Sequence, residues 1–160
     1  MGWNELVEKM KQKHLKAFMQ TARTFSECST AERAKVGAII VKDDRIISIG
    51  YNGMPSGWDN TCENVIGYAN GEPVLKTKPE VLHAEANALA KVARSSESSE
   101  GAYMFITYSP CLDCAKLIYQ SGIKKVYYRD QYRETDGLEF LNRCDIGVEQ
   151  LNDWRILSGP

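Results

Sequence analysis

Two short stretches that carry metal-binding residue types constrain the fold of this chain more than any other feature. His83 and Glu85 open the apolar stretch HAEANALAKV, and Cys111 and Cys114 follow Pro110 in the stretch SPCLDCAKLI. The apolar residues of both stretches recur at helical spacing, and proline is favoured in the first turn of a helix. If these groups act together, the fold must bring the beginnings of two helices side by side.

Hydrophobic patterning predicts alternating helices and strands around these two stretches. We expect helices over about 3–27, 81–94, 110–120 and 135–144, with Gly122 ending the third, strands over 36–41, 45–50, 102–108, 124–129 and 146–151, and a long irregular loop over 51–80. The first two strands flank Lys42-Asp43-Asp44 and should form an antiparallel hairpin, whereas strands joined through helices should be parallel. The predicted fold is α/β: a three-layer α/β/α sandwich with a mixed five-stranded sheet, in a single domain over 1–160.

Composition and charge narrow the function classes. The chain has 160 residues and a formal net charge of −1, which argues against a protein whose main partner is nucleic acid. Its longest apolar run, VGAIIV, is too short to cross a bilayer, so no membrane partner is expected. Five cysteines are an odd number and suit a reducing, cytoplasmic location, where metal binding or catalysis is commoner than a disulfide framework.

Cys111 and Cys114 have the spacing and the location of metal-binding thiols. At the beginning of a helix, unsatisfied N–H groups and a partial positive charge favour the thiolate, which is the form that binds a metal. A CxxC pair alone is also compatible with a redox-active site or with chance, but His83 supplies a third ligand. Two thiolates and one imidazole leave the fourth position of tetrahedral Zn²⁺ open, as in catalytic zinc sites.

Glu85 favours a catalytic site over a structural one. A carboxylate beside a three-ligand zinc site need not bind the metal and is free to transfer protons, and zinc lowers the pKa of bound water to about 7. The competing interpretation is a histidine buried in the core with two structural cysteines. A second zinc site using Cys28 and Cys62 is disfavoured, because the one remaining histidine, His14, lies in the first predicted helix.

H-x-E followed by P-C-x-x-C is the signature of zinc nucleobase deaminases, and this chain matches it at His83-Ala84-Glu85 and from Pro110 to Cys114. Beyond that signature, the chain resembles the deoxycytidylate (dCMP) deaminase family over about 35–148. The resemblance is carried by KVGAIIVKDDRIISIGYNGMPSG, HAEANALA and SPCLDCAKLIYQSGIKKVYY, of which GYNGMPSG is the most telling. Cytidine deaminases acting on free nucleosides usually have cysteine in place of His83, and riboflavin-pathway deaminases space their two cysteines more widely.

The resemblance implies a cytidine deaminase-like fold and the zinc-dependent hydrolysis of dCMP to dUMP and ammonia, a reaction that feeds dTMP synthesis. Glu85 would carry one proton to ring N3 and another to the departing amine. Members of the family are commonly homo-oligomers, often hexamers. They are activated by dCTP and inhibited by dTTP together with Mg²⁺, so these effectors are expected partners.

The resemblance also implies positions that touch the nucleotide. Asn52 in GYNG looks like the family residue that hydrogen-bonds the sugar and orients the base, the alternative being a turn residue in the left-handed conformation. Tyr132 follows a strand end, where it would stack on the base or pack at the rim of the crevice. The candidate substrate-binding residues are Asn52, Ala84, Ser109, Asp130 and Tyr132, with Arg33 and Lys35 for the phosphate, and the candidate effector-binding residues are Gly53, Gly57 and Arg94. Arg94 is equally well explained as a cation near a helix C-terminus.

Three rival functions differ in substrate or in chemistry. The first is a deaminase that also accepts dCTP. The second is a tRNA or single-stranded nucleic-acid deaminase, which needs a basic, aromatic-lined track around the pocket. The third is a non-catalytic, zinc-stabilised nucleotide sensor, for which Glu85 has no obvious use.

Overall fold

The computed structural model describes residues 10–152. The helices are α1 (Gln12–Ser26), α2 (Ala84–Ala93), α3 (Leu112–Gln120) and α4 (Asp136–Arg143). The strands are β1 (Gly37–Lys42), β2 (Arg45–Tyr51), β3 (Glu63–Ala69), β4 (Glu72–Thr77), β5 (Tyr103–Tyr108), β6 (Lys125–Asp130) and β7 (Gly147–Gln150). None of these helices is long and apolar enough to cross a membrane.

The central sheet contains five strands in the order β2-β1-β5-β6-β7. Strand β1 is antiparallel to both of its neighbours, whereas β5, β6 and β7 are parallel. The predicted hairpin is confirmed: Asp43 and Asp44 join β1 to β2 with φ of 51° and 57°, the left-handed pair that a two-residue hairpin turn requires. The predicted mixed sheet is therefore confirmed, with β1 as its one strand of opposite direction.

Helices cover both faces of this sheet. Strand β1 alternates its side chains between the faces, so that Ile39 and Val41 pack with α1 while Ala38 and Ile40 pack with residues of α2, α3 and α4. On the α1 side, the rings of Phe105 and Tyr127 stack with centroids 4.8 Å apart. The three-layer α/β/α sandwich is confirmed, with one helix on one face and three on the other.

The predicted irregular loop over 51–80 is wrong, because it contains a second sheet. Strands β3 and β4 form an antiparallel hairpin outside the central sheet, and their turn is made by Asn70 and Gly71 with φ of 52° and 80°. Most side chains of the hairpin are exposed, so the sequence carries no alternation of buried and solvent-facing residues there. The Asn-Gly pair was the available signal, since it is the strongest short hairpin marker.

Helix boundaries also differ from the prediction, and two of the differences matter for function. Helix α1 begins at Gln12 after an extended Lys11, and the part predicted before residue 10 lies outside the described residues. Helices α2 and α3 begin later than predicted, so that His83 and Cys111 are their N-cap residues in extended backbone conformation. Neither side chain makes a capping hydrogen bond to its own helix, so both are available to other partners.

Helix α2 lies against β2 at a distance that only glycine permits, which gives a test of the packing. A Cβ on Gly50 would collide with the carbonyl oxygen of Ala84 and lie 2.6 Å from the backbone nitrogen of Ala88. We expect Gly50→Ala to destabilise the fold by about 2 kcal/mol and to lower Tm by about 4–8 °C.

Gly67 on β3 provides the matched control, since a Cβ there meets nothing within 4 Å. Gly67→Ala should leave the Tm within about 2 °C of the parent chain, as surface substitutions usually do. A thermal melt in which both variants behave alike would contradict the close contact between α2 and β2.

Candidate functional site

The side chains of His83, Cys111 and Cys114 converge at the beginnings of α2 and α3. His83 occupies the N-cap position of α2, Cys111 occupies that of α3, and Cys114 lies in the first turn of α3. The Nδ1 atom of His83 is 3.6 Å from Sγ of Cys111 and 3.3 Å from Sγ of Cys114, and all three ligand atoms lie within 4.8 Å of one another. The two helix beginnings are therefore adjacent, as the sequence requires for a shared site.

These three residues fit a zinc ion. Zn–S bonds of about 2.3 Å and Zn–N bonds of about 2.0–2.1 Å in a tetrahedron place sulfur and nitrogen about 3.6 Å apart, close to the two observed spacings. Two thiols and one imidazole are a donor set that zinc prefers, and three protein ligands leave one position open. Within residues 10–152, this is the one group of three or more His, Cys, Asp or Glu side chains whose ligand atoms converge in this way.

Contacts among the three ligands shift the pKa of each one, and the shift favours the thiolate of Cys111. Hydrogen bonds from Cys114 and His83 lower the pKa of the Cys111 thiol to about 4. The pKa of Cys114, the thiol that donates to Cys111, is raised by that same contact and by burial. The pKa of His83 is raised by its hydrogen bond to Cys111. A bound cation displaces the thiol protons, since a coordinating thiol is deprotonated outright.

Glu85 lies beside the three ligands without belonging to the group. It is the second residue of α2 and only 4 % exposed. Burial raises the pKa of Glu85 to about 7, and a backbone hydrogen bond, the charge of His83 and a hydrogen bond with Cys114 oppose that rise only in part. A carboxyl group with such a pKa beside an open metal position is suited to accept and return protons near neutral pH.

The site opens into a cleft of about 550 Å³, a size in the range of small-molecule sites. Its lining includes His83, Glu85 and Cys111 and five predicted substrate-binding residues, namely Arg33, Asn52, Ala84, Ser109 and Tyr132. The metal ligands and most candidate substrate contacts therefore share one cavity.

Residues 12–130 match the family model described as the cytidine and deoxycytidylate deaminase zinc-binding region. The chain belongs to this deaminase family. The expected resemblance is thus confirmed over most of the described residues.

Relatives and solved structures agree with this family. The deoxycytidylate deaminase of Enterobacteria phage T4 is 36 % identical over 84 % of this chain and 86 % of its own length. The human deoxycytidylate deaminase is 39 % identical over 74 % of this chain and 66 % of its own. A crystal structure of dCMP deaminase from cyanophage S-TIM5, in complex with dCMP and dUMP, superposes with a TM-score of 0.80 at 48 % identity, covering 89 % of this chain and all of that one.

Asn52 holds one wall of the deaminase cleft together. Its Oδ1 accepts from the backbone N–H of Val36 at 2.9 Å, its Nδ2 donates to the carbonyl of Ala34 at 2.8 Å, and its own carbonyl accepts from Ser29 Oγ at 2.8 Å. The alternative of a left-handed turn residue is wrong, because Asn52 does not have a positive φ. Its amide retains one N–H and one lone pair for a ligand, so the predicted substrate contact stays a prediction.

Ser109 and Tyr132 lie where β5 and β6 end. Ser109 Oγ accepts from the backbone N–H of Tyr132 at 2.7 Å, and the N–H of Ser109 donates to the carbonyl of Asp130 at 2.9 Å. Tyr132 lines the cleft and is 42 % exposed. This placement is compatible with stacking on a base and with packing at the rim.

Lys35 and Asp130 are not brought into the lining. Lys35 is exposed beside the beginning of β1, and the Asp130 carboxylate pairs with Arg129 at 2.9 Å. Sequence reasoning placed both near a strand end but could not give the direction of either side chain. Their proposed contacts with the nucleotide stay predictions that this placement does not support.

The three candidate effector residues lie outside the cleft lining. Gly53 pairs with Leu82 in an isolated antiparallel bridge, which holds the backbone directly before His83 in place. Gly57 has φ of +84°, and Arg94 is the exposed C-cap of α2, where a cation is favourable without any ligand. Their effector role stays a prediction.

The sequence reasoning missed five charged or polar residues of the cleft: Glu63 and Thr77 on the β3–β4 hairpin, Tyr108 at the end of β5, and Arg133 and Glu134 after β6. The turn pair Asn70-Gly71 gives a signal for the hairpin, but nothing in the sequence places its open end against the cleft. Arg133 and Glu134 follow Tyr132 directly and could have been included with it.

Proposed function

We propose that this chain is a zinc-dependent dCMP deaminase, which hydrolyses dCMP to dUMP and ammonia, within a single domain over 1–160. The observation that carries the proposal is a buried carboxyl, Glu85, held beside three converging zinc ligands without being one of them, in a nucleotide-sized cleft. The names of the relatives and the dCMP and dUMP bound by the cyanophage enzyme support the choice of substrate.

His83, Cys111 and Cys114 would hold the zinc ion, which supplies a Lewis acid and lowers the pKa of the attacking water to about 7. Glu85 accepts a proton from that water and delivers a proton to N3 of the ring, which makes C4 electrophilic. As the water oxygen bonds to C4, Glu85 would take the second proton of that oxygen and deliver it to the amine, so that the C4–N bond breaks and C4 becomes a carbonyl. Water and dCMP are thereby converted to dUMP and ammonia without any further reactant.

The same cleft offers groups for the rest of the nucleotide. Asn52 orients the sugar with its remaining N–H and lone pair, Tyr132 lies against the base, and Arg33 meets the phosphate. Among the described lining residues, Arg33 and Arg133 are the only permanent cations, and Glu63 and Glu134 accompany them. A lining of this mixed charge supports a small nucleotide over a long polyanion, which needs a continuous basic track.

The proposal extends to assembly and control. By resemblance to its family, the chain forms a homo-oligomer and is activated by dCTP and inhibited by dTTP with Mg²⁺, in a reaction that feeds dTMP synthesis. Light scattering of the purified protein, alone and with each nucleotide, measures the assembly directly.

Ammonia release from the zinc-loaded protein tests the activity. We expect turnover of dCMP to exceed that of dCTP, deoxycytidine and CMP, with dCTP raising it and dTTP with Mg²⁺ lowering it. Equal turnover of dCTP would support the broader substrate range. Absence of ammonia from all four compounds would overturn the proposal, and tight RNA or single-stranded DNA retention on a filter would then favour a nucleic-acid deaminase.

A further inference from the structure

The open end of the β3–β4 hairpin carries a cross-strand pair that faces the cleft. Glu63, the first residue of β3, is directly opposite Thr77, the last residue of β4. Both line the cleft, although the hairpin takes no part in the central sheet or in the metal site. The proposed deamination involves neither of these two side chains, although both line the cleft.

Glu63 accepts hydrogen bonds from the backbone of the segment that precedes β1. Its Oε1 accepts from the N–H of Glu32 at 2.9 Å and from the N–H of Arg33 at 3.2 Å, and the residue is only 8 % exposed. Two N–H groups on one carboxylate oxygen make strong, charge-assisted hydrogen bonds. Because this segment has no helix or strand of its own, side-chain hydrogen bonds hold its backbone, from Glu63 at Glu32 and Arg33 and from Asn52 at Ala34 and Val36.

Thr77 hydrogen-bonds to the side chain of Arg33. Nη1 of Arg33 donates to Thr77 Oγ1 at 3.3 Å. Among the described residues, no ion pair includes Arg33, so the neutral hydroxyl orients the guanidinium without cancelling its charge. The pair thus contacts both the backbone and the head group of one of the two arginines in the cleft, whose side chain is otherwise exposed.

We propose that Glu63 and Thr77 are positioning residues that hold Arg33 for the 5′-phosphate of the substrate. On this view the β3–β4 hairpin determines the preference for a nucleoside monophosphate over the bare nucleoside. The inference rests on the proposed function for its ligand. Its physical basis is preorganisation: an arginine whose side chain is already fixed loses less freedom when it binds a phosphate.

Titration calorimetry of the zinc-loaded protein with dUMP and with deoxyuridine tests the role of Thr77. We expect Thr77→Val to weaken dUMP binding about fivefold, the effect of one typical hydrogen bond, because the bond is long and solvent-exposed, and to leave deoxyuridine binding unchanged. Thr77→Ser keeps the hydroxyl and should bind dUMP like the parent chain. Equal weakening toward dUMP and deoxyuridine would overturn the inference.

Glu63→Gln should weaken dUMP binding about tenfold, since it removes the charge that strengthens both backbone hydrogen bonds. Its matched control is Glu72→Gln on the same hairpin, because Glu72 is exposed beside the turn at the opposite end. Unchanged dUMP binding in Glu63→Gln, or an equal loss in Glu72→Gln, would also overturn the inference.

A double-mutant cycle shows whether Thr77 acts through Arg33. In an Arg33→Ala background, Thr77→Val should have no further effect on the Kd for dUMP, whereas independent contributions would multiply. Multiplying losses would contradict the positioning role. Because calorimetry measures binding and not turnover, a parent chain that binds dUMP but releases no ammonia from dCMP would overturn the proposed activity and leave this test intact.

Discussion

Glu85→Gln should reduce ammonia release from dCMP by at least about 10²-fold and up to about 10⁴-fold, the usual contribution of general acid–base catalysis. The amide has nearly the same shape as the carboxylate but cannot accept a proton from water and return it to N3 or to the amine. Since Glu85 lies outside the group of ligand atoms, the variant should still bind zinc with one ion per chain. Metal analysis and an ammonia assay on the same sample measure both effects.

Stability separates this loss of catalysis from a loss of folding. Burial raises the pKa of Glu85 to about 7, so the carboxylate is costly to bury, and replacing it with a neutral amide should leave Tm unchanged or slightly higher. Asp113→Asn is the matched control, because Asp113 is exposed in the first turn of α3 and pairs with Lys116. An active Glu85→Gln enzyme, or an equally inactive Asp113→Asn enzyme, would contradict the role assigned to Glu85.

The central sheet and the metal ligands could be predicted because their physical causes are local in sequence. Runs such as VGAIIV are buried on both faces of β1, so every residue in them is apolar and the strand is easily recognised. The zinc ligands follow from chemistry that tolerates few residue types, at spacings set by the first turn of a helix. The residue types and spacing around His83 and Cys111 are therefore sufficient to predict the site from the sequence alone.

The β3–β4 hairpin could not be predicted by the same reasoning. Hydrophobic periodicity reports burial, and this hairpin exposes Ile66 and Tyr68 to 62 % and 75 %. Its two cleft residues, Glu63 and Thr77, are polar and contact Arg33 from 30 and 44 positions away in sequence. Contacts of that kind depend on how the whole segment folds back on the domain, which single-sequence patterns do not encode.

The sequence also does not predict the direction in which a side chain points. The sequence predicts a ligand contact for Asn52, yet much of its hydrogen-bonding capacity is used to fix the segment that ends at Val36. Asp130 ends a strand at the expected edge, yet its carboxylate turns to Arg129. In both cases the sequence indicates the correct edge of the sheet, but local hydrogen bonds decide which groups face the cleft.

Cys114→Ser should abolish stable zinc binding and, with it, deamination. Cys114 is buried at the first turn of α3 and supplies one of three ligands, and a serine hydroxyl is a far poorer zinc ligand than a thiolate. Loss of a hydrogen-bonding partner of a ligand already costs about 10- to 100-fold in metal affinity, so loss of the ligand itself should exceed that range. Zinc content after dialysis and ammonia release should fall together.

Thermal unfolding distinguishes loss of the ligand from a local packing defect. Zinc present at about 1,000 times its Kd stabilises the folded chain by about 4 kcal/mol, so a chelator should lower the Tm of the parent by about 10 °C. Cys114→Ser should show no such response.

Cys62→Ser is the matched control. Cys62 is as buried as Cys114 but contacts Thr30 and Asn60. Its variant should therefore have a lower Tm than the parent but keep the full response to the chelator. The fold itself should survive in every case, because α2 and α3 also pack on the sheet through Ala88, Ala115 and Ile118. A Cys114→Ser enzyme with normal zinc content and turnover would contradict the assignment of this ligand.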